Sequence, residues 1–415
     1  MIALIVCSLP CRADSPFSPN SVDERLRTNV DFWIRIYTQY DTKQGVVHDA
    51  KYIDHIYEVI DLTKPGPSPR RRTLLAERKW KRVLLSARKK LRSHKRLTPD
   101  EEHVVRLFSD VTEPNKLLNA AGRKRIRFQL GQKDRFLEGY IESGRYLPEM
   151  EKIFRDAGLP VELTRIPFVE SSFNIHARSK AGASGIWQFI RVTARHYLRV
   201  DRAVDERNDP IRATEAAAKF LNLNYAALKS WPLAITAYNH GRAVMARQEA
   251  RIGTTGLEDV VFSHRSHRFG FASSNYYAEF LAALSVERNA TQYFGKVRRE
   301  QPLHCFEVRI PNPIQLHDLA RFMGFKISDV KEYNPAILES VYTGRRHLPA
   351  GYRLRLPFSG TYAGLSKEAA ARVFMAGYEK IPNLYKNHGI TRGKKGIHVP
   401  RRNRRRIRFR QNNVL

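Results

Sequence analysis

ESSFNIHARSKAGASGIWQF, residues 170–189, is the stretch on which the reading of this chain turns. It opens on Glu170, which closes an apolar run of Ile166, Pro167, Phe168 and Val169, and it runs into the turn Gly185-Ile186-Trp187-Gln188. Further along stands Ala237-Tyr238-Asn239-His240-Gly241. A carboxyl at the end of an apolar segment is expected to have a raised pKa, because burial disfavours its charged form. Such a group keeps its proton near neutrality and serves as a general acid. Gln188, Asn239 and Tyr238 are residues whose amides and hydroxyl suit a polar, acetylated sugar.

The flanking sequence reads as helices. Leu147-Pro148 opens one that runs to about Ala157, and Val161 to Ser171 forms the next, ending at the candidate acid. Thr214–Leu228, Trp231–Tyr238 and Tyr276–Val286 continue the pattern, and no alternating strand pattern is read between Arg127 and residue 300. The segment 24–62, with Phe32, Trp33, Ile36, Tyr37 and Tyr40, is also expected to be helical, its aromatics forming a core face. The TKPGPSP run at 63–69 is a breaker, and residues 73–97 return to helical spacing with basic residues opposite the leucines. After residue 300 the composition changes. The alternating stretches Phe306–Ile310 and Arg353–Pro357 enclose two short helical segments, an order of strand, helix, helix, strand.

The joint pattern Glu170, Ser171, Phe173, Asn174, Ala177, Ser179, Gly182, Ala183, Gly185, Gln188 and Phe189 resembles that of the lytic transglycosylases, lysozyme-like enzymes that cut bacterial peptidoglycan. Within them it is most similar to the membrane-bound lytic murein transglycosylase D type. Ile175 and Arg191 stand where that pattern has proline, a departure that bears on loop conformation and not on the chemistry. The resemblance covers residues 129–299 strongly and 24–62 and 302–358 more loosely. The last of these, with Asn334-Pro335 and LPAGYRLRLP at 348–357, resembles a LysM module, a small glycan-binding unit.

The expected fold class is mainly α. It comprises a 1–13 signal-like segment, a 14–128 N-terminal helical region with a basic helix, a 129–299 lysozyme-like all-helical catalytic domain, a 302–358 α+β LysM-like module and a 359–415 basic extension. The resemblance implies cleavage of the MurNAc–GlcNAc β-1,4 bond without water, leaving 1,6-anhydroMurNAc ends. Glu170 would be the catalytic acid and base, with Ser171, Gln188, Tyr238, Asn239 and Tyr276 binding substrate. Local hydrogen bonding for Ser171 and core packing for Tyr238, Tyr276 and Trp187 are the competing roles. No second carboxylate is fixed by the motif; Asp201, Asp205, Glu206 and Asp209 read as structural. Two other readings stay open: a hydrolytic muramidase, which would need a positioned water and usually a second carboxylate, and a catalytically silent peptidoglycan-binding scaffold.

Charge and cysteine content bound the partners. The net charge is +32, and residues 70–96 and 391–415 supply most of it. The first segment holds thirteen Lys and Arg against Glu77, the second ten and no acid. Such runs are solvated faces, or they attract anionic polymers and surfaces such as peptidoglycan carboxylates or lipid headgroups. Contact of the basic tail with an anionic membrane or envelope surface is one expectation. No helix-turn-helix, zinc-finger or RRM pattern is present, so specific nucleic-acid binding is not expected. Cys7, Cys11 and Cys305 have no metal-ligand spacing, and neither metal nor cofactor is called for. Residues 1–13, MIALIVCSLPCRA, resemble the later part of a secretory signal without its basic start or a lipobox. The expected location is the periplasm or cell envelope, with outer-membrane association left open.

Overall fold

The computed structural model describes residues 17, 22–253, 256–263, 269–387, 392–393 and 396–397. The signal-like segment 1–13, with Cys7 and Cys11, lies outside the described residues, as does nearly all of the basic tail 391–415. In chain order the elements begin with α1 Glu24–Thr38, β1 Gln44–Asp49, β2 Ile56–Asp61, α2 Pro69–Arg92, α3 Pro99–Leu107, α4 Lys116–Ala120 and β3 Ile126–Leu130. They continue with α5 Lys133–Ser143, α6 Leu147–Asp156, a 3-10 turn Val161–Arg165, α7 Ile166–Ser171, α8 Arg191–Ala194, α9 Pro210–Leu228, α10 Trp231–His240, α11 Arg242–Ile252, α12 Leu257–Ser263, α13 Phe271–Arg288 and α14 Ala290–Phe294. The last group is β4 Cys305–Arg309, α15 Leu316–Met323, α16 Ile327–Tyr333, α17 Glu339–Tyr342, β5 Arg353–Pro357 and α18 Lys367–Asn387. The chain is mainly helical. It divides into two compact units: 1–143 with 151–172 and 218–299, and 144–150 with 173–217 and 300–415.

In the first unit the expectation of helices throughout 24–62 holds only for α1. QGVVHD and IYEVID form β1 and β2, and IRFQL adds β3, giving an antiparallel sheet in the order β2-β1-β3. Their β-branched residues suit a pleated surface, and the aromatic spacing that suggested a helix stops at Tyr40. The end of the central strand β1 is fixed by Asp49, wholly buried, which accepts three bonds from the Arg125 guanidinium at 2.8, 2.9 and 3.2 Å and one from Tyr57 at 3.1 Å. One face of the sheet is covered by α2, whose Ala76, Trp80, Leu84 and Ala87 join Val47, Tyr57, Val104 and Phe108 in one core. Helix α3 starts at Thr98 with a full capping box to Glu101 and Pro99 in its first turn.

Helix α13 is the centre of the first unit: α1, α7 and α10 all pack on it. Its buried Tyr276, Tyr277, Phe280, Leu281 and Leu284 explain the fit. The α1 seam is pinned by Asn275, which accepts from Asn29 at 3.1 Å and from Trp33 Nε1 at 3.3 Å.

In the second unit β4 and β5 pair antiparallel, Phe306 opposite Leu356 and Val308 opposite Leu354. The strand, helix, helix, strand order is present, with α17 added before β5 and α18 packed across β4. Asn334 explains the Asn-Pro signature: its side chain donates to the Arg355 carbonyl at 2.7 Å and accepts from the Arg355 amide at 2.9 Å, tying the last strand to the end of α16. The core of these elements includes Ala203 and Val204 from the preceding loop region. Buried Arg355 donates to buried Asp209 at 2.7 Å.

Candidate active site

Glu170 is placed by a short helix with strong boundaries. Pro167 sits in the first turn of α7, Ile166 and Phe168 are buried, and Ser172 ends the helix in the left-handed region at φ 51°. Phe173 follows at φ 57°. Two successive left-handed residues without glycine are uncommon and turn the chain sharply away just after the acid. Gly139 of α5 makes this possible, since a Cβ there would lie 2.3 Å from the Ser172 carbonyl oxygen. Beneath the acid, the Phe168 ring stacks on Phe136 at 4.7 Å, and Phe136 meets Tyr37 at 5.0 Å.

This apolar floor sets the electrostatics. Burial pushes the half-buried Glu170 carboxyl up to about 7, while a hydrogen bond from Tyr276 pulls it the other way. The Tyr276 hydroxyl donates to Glu170 Oε1 at 2.5 Å. Near neutrality the group therefore exists in both protonation states, as a residue that first gives and then takes a proton requires. Tyr277, the sequence neighbour, does not share this position: burial and the charge of Glu258 act on it instead.

The sequence reading missed a second carboxyl here. Glu279 lies one turn beyond Tyr276 on α13, on the same helix face. Burial, and then the charge of Glu170, push it up to about 8. Tyr37 of α1 faces both carboxyls, and burial followed by their charges raises its hydroxyl well above the ordinary value. Tyr238 of α10 is raised likewise by burial and by Glu170. The signal for Glu279 was available, since it is the one acid in the otherwise apolar run AEFLAALSV, residues 278–286. Tyr37 is the residue of the α1 core face that reaches functional groups.

The other expected site residues are placed as follows. Asn239 is exposed and accepts from Ser273 Oγ at 3.2 Å, and Ser273 also meets His240 Nδ1 at 2.9 Å. The Ser171 hydroxyl donates back to the Pro167 carbonyl at 3.3 Å. Tyr238 meets the Phe220 ring edge-on at 5.4 Å. Glu170, Tyr238 and Tyr276 thus come together within the first unit.

Gln188 belongs to the second unit. It sits at φ 48°, and its amide nitrogen donates to the Gly185 and Ala177 carbonyls at 2.7 and 3.1 Å. Gly185 is required there: its φ is +78°, and a Cβ would meet the Arg207 carbonyl oxygen at 1.8 Å. Trp187 is a core residue, fully buried with its Nε1 donating to Thr214 at 2.8 Å. Asp201, Asp205, Glu206 and Asp209 are structural: each carboxylate accepts from nearby backbone amides, and Asp205 also holds Arg207 at 2.7 Å.

Among the described residues no cluster of His, Cys, Asp and Glu could hold a metal.

Residues 151–259 match the Transglycosylase SLT domain. The chain is 29% identical over 182 residues to the membrane-bound lytic murein transglycosylase D of Escherichia coli (strain K12), covering 43% of this chain and 40% of that protein. It is 31% identical over 118 residues to the putative tributyltin chloride resistance protein of Alteromonas sp. (strain M-1), covering 27% of this chain and 57% of that protein. Matches to solved structures include the 70 kDa soluble lytic transglycosylase of Escherichia coli, with a TM-score of 0.31 at 14% identity over 56% of this chain and 46% of that one. An inactive mutant of the lytic transglycosylase Slt of Pseudomonas aeruginosa gives the same TM-score and identity over 55% and 33%. The chain spans 40% and 57% of the length of these two curated relatives. Glu170 and Tyr238 both lie within residues 151–259, the segment that matches the Transglycosylase SLT domain.

Proposed function

We propose that the protein is a peptidoglycan lytic transglycosylase acting in the cell envelope. The observation that carries this reading is the Glu170 carboxyl, poised at about 7 and hydrogen-bonded to Tyr276, within a segment that matches the Transglycosylase SLT domain. Glu170 in its acid form protonates the bridging oxygen as the bond from MurNAc C1 breaks and the sugar gains oxocarbenium character. The resulting carboxylate takes the proton of the MurNAc C6 hydroxyl. That oxygen closes on C1, giving a 1,6-anhydro sugar and a free GlcNAc 4-hydroxyl, with no water consumed and the acid restored. Tyr276 stabilises the carboxylate between the two proton transfers by its charge-assisted hydrogen bond.

Glu279 raises the hydrolytic alternative, because a second carboxyl is the usual means of activating water or capturing the sugar. Its pKa of about 8 argues against that role near neutrality, where the group is mostly protonated and is neither base nor nucleophile. In this reading Ser171, Tyr238 and Asn239 contact the sugar, and residues 302–358 bind glycan. Localisation in the periplasm is part of the same proposal.

The test is mass spectrometry of sacculi digested by the wild type and by Glu170→Gln. Anhydro-ended products from the wild type, and a loss of roughly a thousandfold or more in the variant, are expected for the removal of the acid–base group. Reducing MurNAc ends would establish hydrolysis instead, and a variant with a tenth of wild-type activity would remove Glu170 from its role.

A further inference from the structure

Helix α2 is amphipathic in an unusual sense, because its outward face is both cationic and apolar. The inner face, Ala76, Trp80, Leu84 and Ala87, is buried on the sheet. Trp80 is locked there, donating from Nε1 to Glu58 at 2.6 Å and stacking on Tyr57. On the opposite face Arg71, Leu74, Leu75, Arg78, Lys81, Arg82, Leu85, Lys89 and Arg92 are all exposed and follow one another at helical spacing. Leu74, Leu75 and Leu85 are 45%, 46% and 38% exposed.

The cations divide into two groups. Lys79 reaches Glu58 and Asp100, and Lys90 reaches Glu101, so both are spent on the fold. Arg71, Arg78, Lys81, Arg82, Lys89 and Arg92 have no acidic partner among the described residues. The sole acid of the helix, Glu77, is half-buried and feels the charge of Arg127. Nothing on the outer face therefore neutralises its cations.

At its C-terminal end this face reaches a cleft of about 320 Å³ edged by Arg88, Leu91, Arg92 and Lys116. Glu113 also lines the cleft, but its carboxylate is taken by Lys51 at 2.7 Å and Tyr52 at 3.1 Å. The cleft is therefore edged by positive charge, with exposed Leu91 at its lip.

We infer that the outer face of α2 is a docking surface for an anionic phospholipid membrane, lying flat on the headgroups with its leucines in the acyl boundary and Arg88, Arg92 and Lys116 around a headgroup phosphate. Charge complementarity alone would suit a nucleic acid or peptidoglycan carboxylates equally well. The leucines decide between them: only a lipid phase removes Leu74, Leu75 and Leu85 from water, whereas a polyanion leaves them solvated. Arginine and lysine stems lying beside leucines also suit an interface where charged heads stay wet and carbon stems do not. No described helix is long and apolar enough to cross a membrane. This inference does not depend on the enzymatic reading.

The experiment uses the full chain with phosphatidylcholine vesicles, with and without phosphatidylglycerol, in a sedimentation assay at low and high salt. Three variants are compared: Arg78→Gln with Lys81→Gln and Arg82→Gln; Leu74→Ser with Leu75→Ser and Leu85→Ser; and a variant with both sets. Removing three cations should weaken binding to anionic vesicles about a hundredfold at low salt, at roughly fivefold per charge. The leucine variant should lose at least about tenfold, and the loss should persist at high salt, where charge is screened and apolar burial is not. Duplex DNA binding should fall in the charge variant and be unchanged in the leucine variant. A leucine variant that binds anionic vesicles like the wild type would overturn the proposal, as would one that loses DNA binding to the same extent. Melting temperatures close to wild type show that each variant is folded, and surface positions of this kind should meet that control.

Discussion

Replacing Tyr276 by Phe should move the alkaline limb of the activity profile upward, and the size of the shift follows from one hydrogen bond. The phenol donates to Glu170 Oε1 at 2.5 Å and so favours the ionised carboxyl. Burial works in the other direction and leaves the group at about 7. A hydrogen bond to a charged group contributes about 1.5–3 kcal/mol, and about 1.4 kcal/mol corresponds to one pKa unit. Loss of the hydroxyl should therefore raise the Glu170 pKa by about one to two units. The acid form is needed to protonate the leaving oxygen, so wild-type kcat/KM should fall as pH rises through about 7. In Tyr276→Phe the fall should come at about 8 to 9, with a lower plateau, because the carboxylate formed between the two proton transfers has lost its donor. The assay is the initial rate of anhydro-product formation from short soluble glycans between pH 5 and 10. Tyr277→Phe is the control, since that hydroxyl does not bond to Glu170, and its limb should stay in place. A Tyr276→Phe limb at the wild-type pH, or below it, would show that the bond does not control the titration of Glu170.

Further outcomes follow from the same arrangement. Burial raises the folded-state pKa of both Glu170 and Glu279 above 4.5, so the folded chain binds extra protons up to about 8 and stability falls as pH rises across that window. Glu279→Gln removes one of these titrations, and its melting temperature relative to wild type should rise from pH 5 to pH 8; a constant difference would place Glu279 in water. Gly185→Ala should destabilise the second unit by at least about 2 kcal/mol in denaturant melts, since the residue sits at φ +78° with a carbonyl oxygen 1.8 Å from the new methyl. Deleting residues 302–415 removes the partners of Ala203 and Val204 and leaves buried Asp209 without Arg355, a loss of about 3–5 kcal/mol for such a pair. The loop carrying Gln188 should then lose its order, and sacculus binding should fall. Unchanged sacculus binding would show that 302–415 does not hold glycan.

The legibility of the chain follows from the range of the interactions involved. Glu170 could be read because its environment is local: the apolar residues that raise its pKa include its own sequence neighbours. The helices 210–228, 231–240 and 271–288 could be read from periodicity for the same reason. The sheet 44–61 with 126–130 could not. Its third strand joins across more than sixty residues, and each strand is too short to show alternation against the aromatic pattern of α1. Glu279 and Tyr37 escaped because their roles exist only where α1, α7 and α13 meet.

The same distinction bears on the mechanism. A motif read locally suggested one carboxyl working alone, whereas the assembled helices surround that carboxyl with three phenols and a second carboxyl, all shifted toward their neutral forms by burial. Such a setting is costly for a permanent charge and tolerant of a transient one with a single strong donor. Tyr276 supplies that donor. Glu279, kept neutral by the same burial, adds no standing negative charge beside Glu170 near neutrality. The Glu170 anion itself raises Glu279 further, so a second ionisation is resisted once the first has occurred. A site holding one negative charge at a time is suited to a reaction in which a single proton is lent to the leaving oxygen and recovered from the C6 hydroxyl.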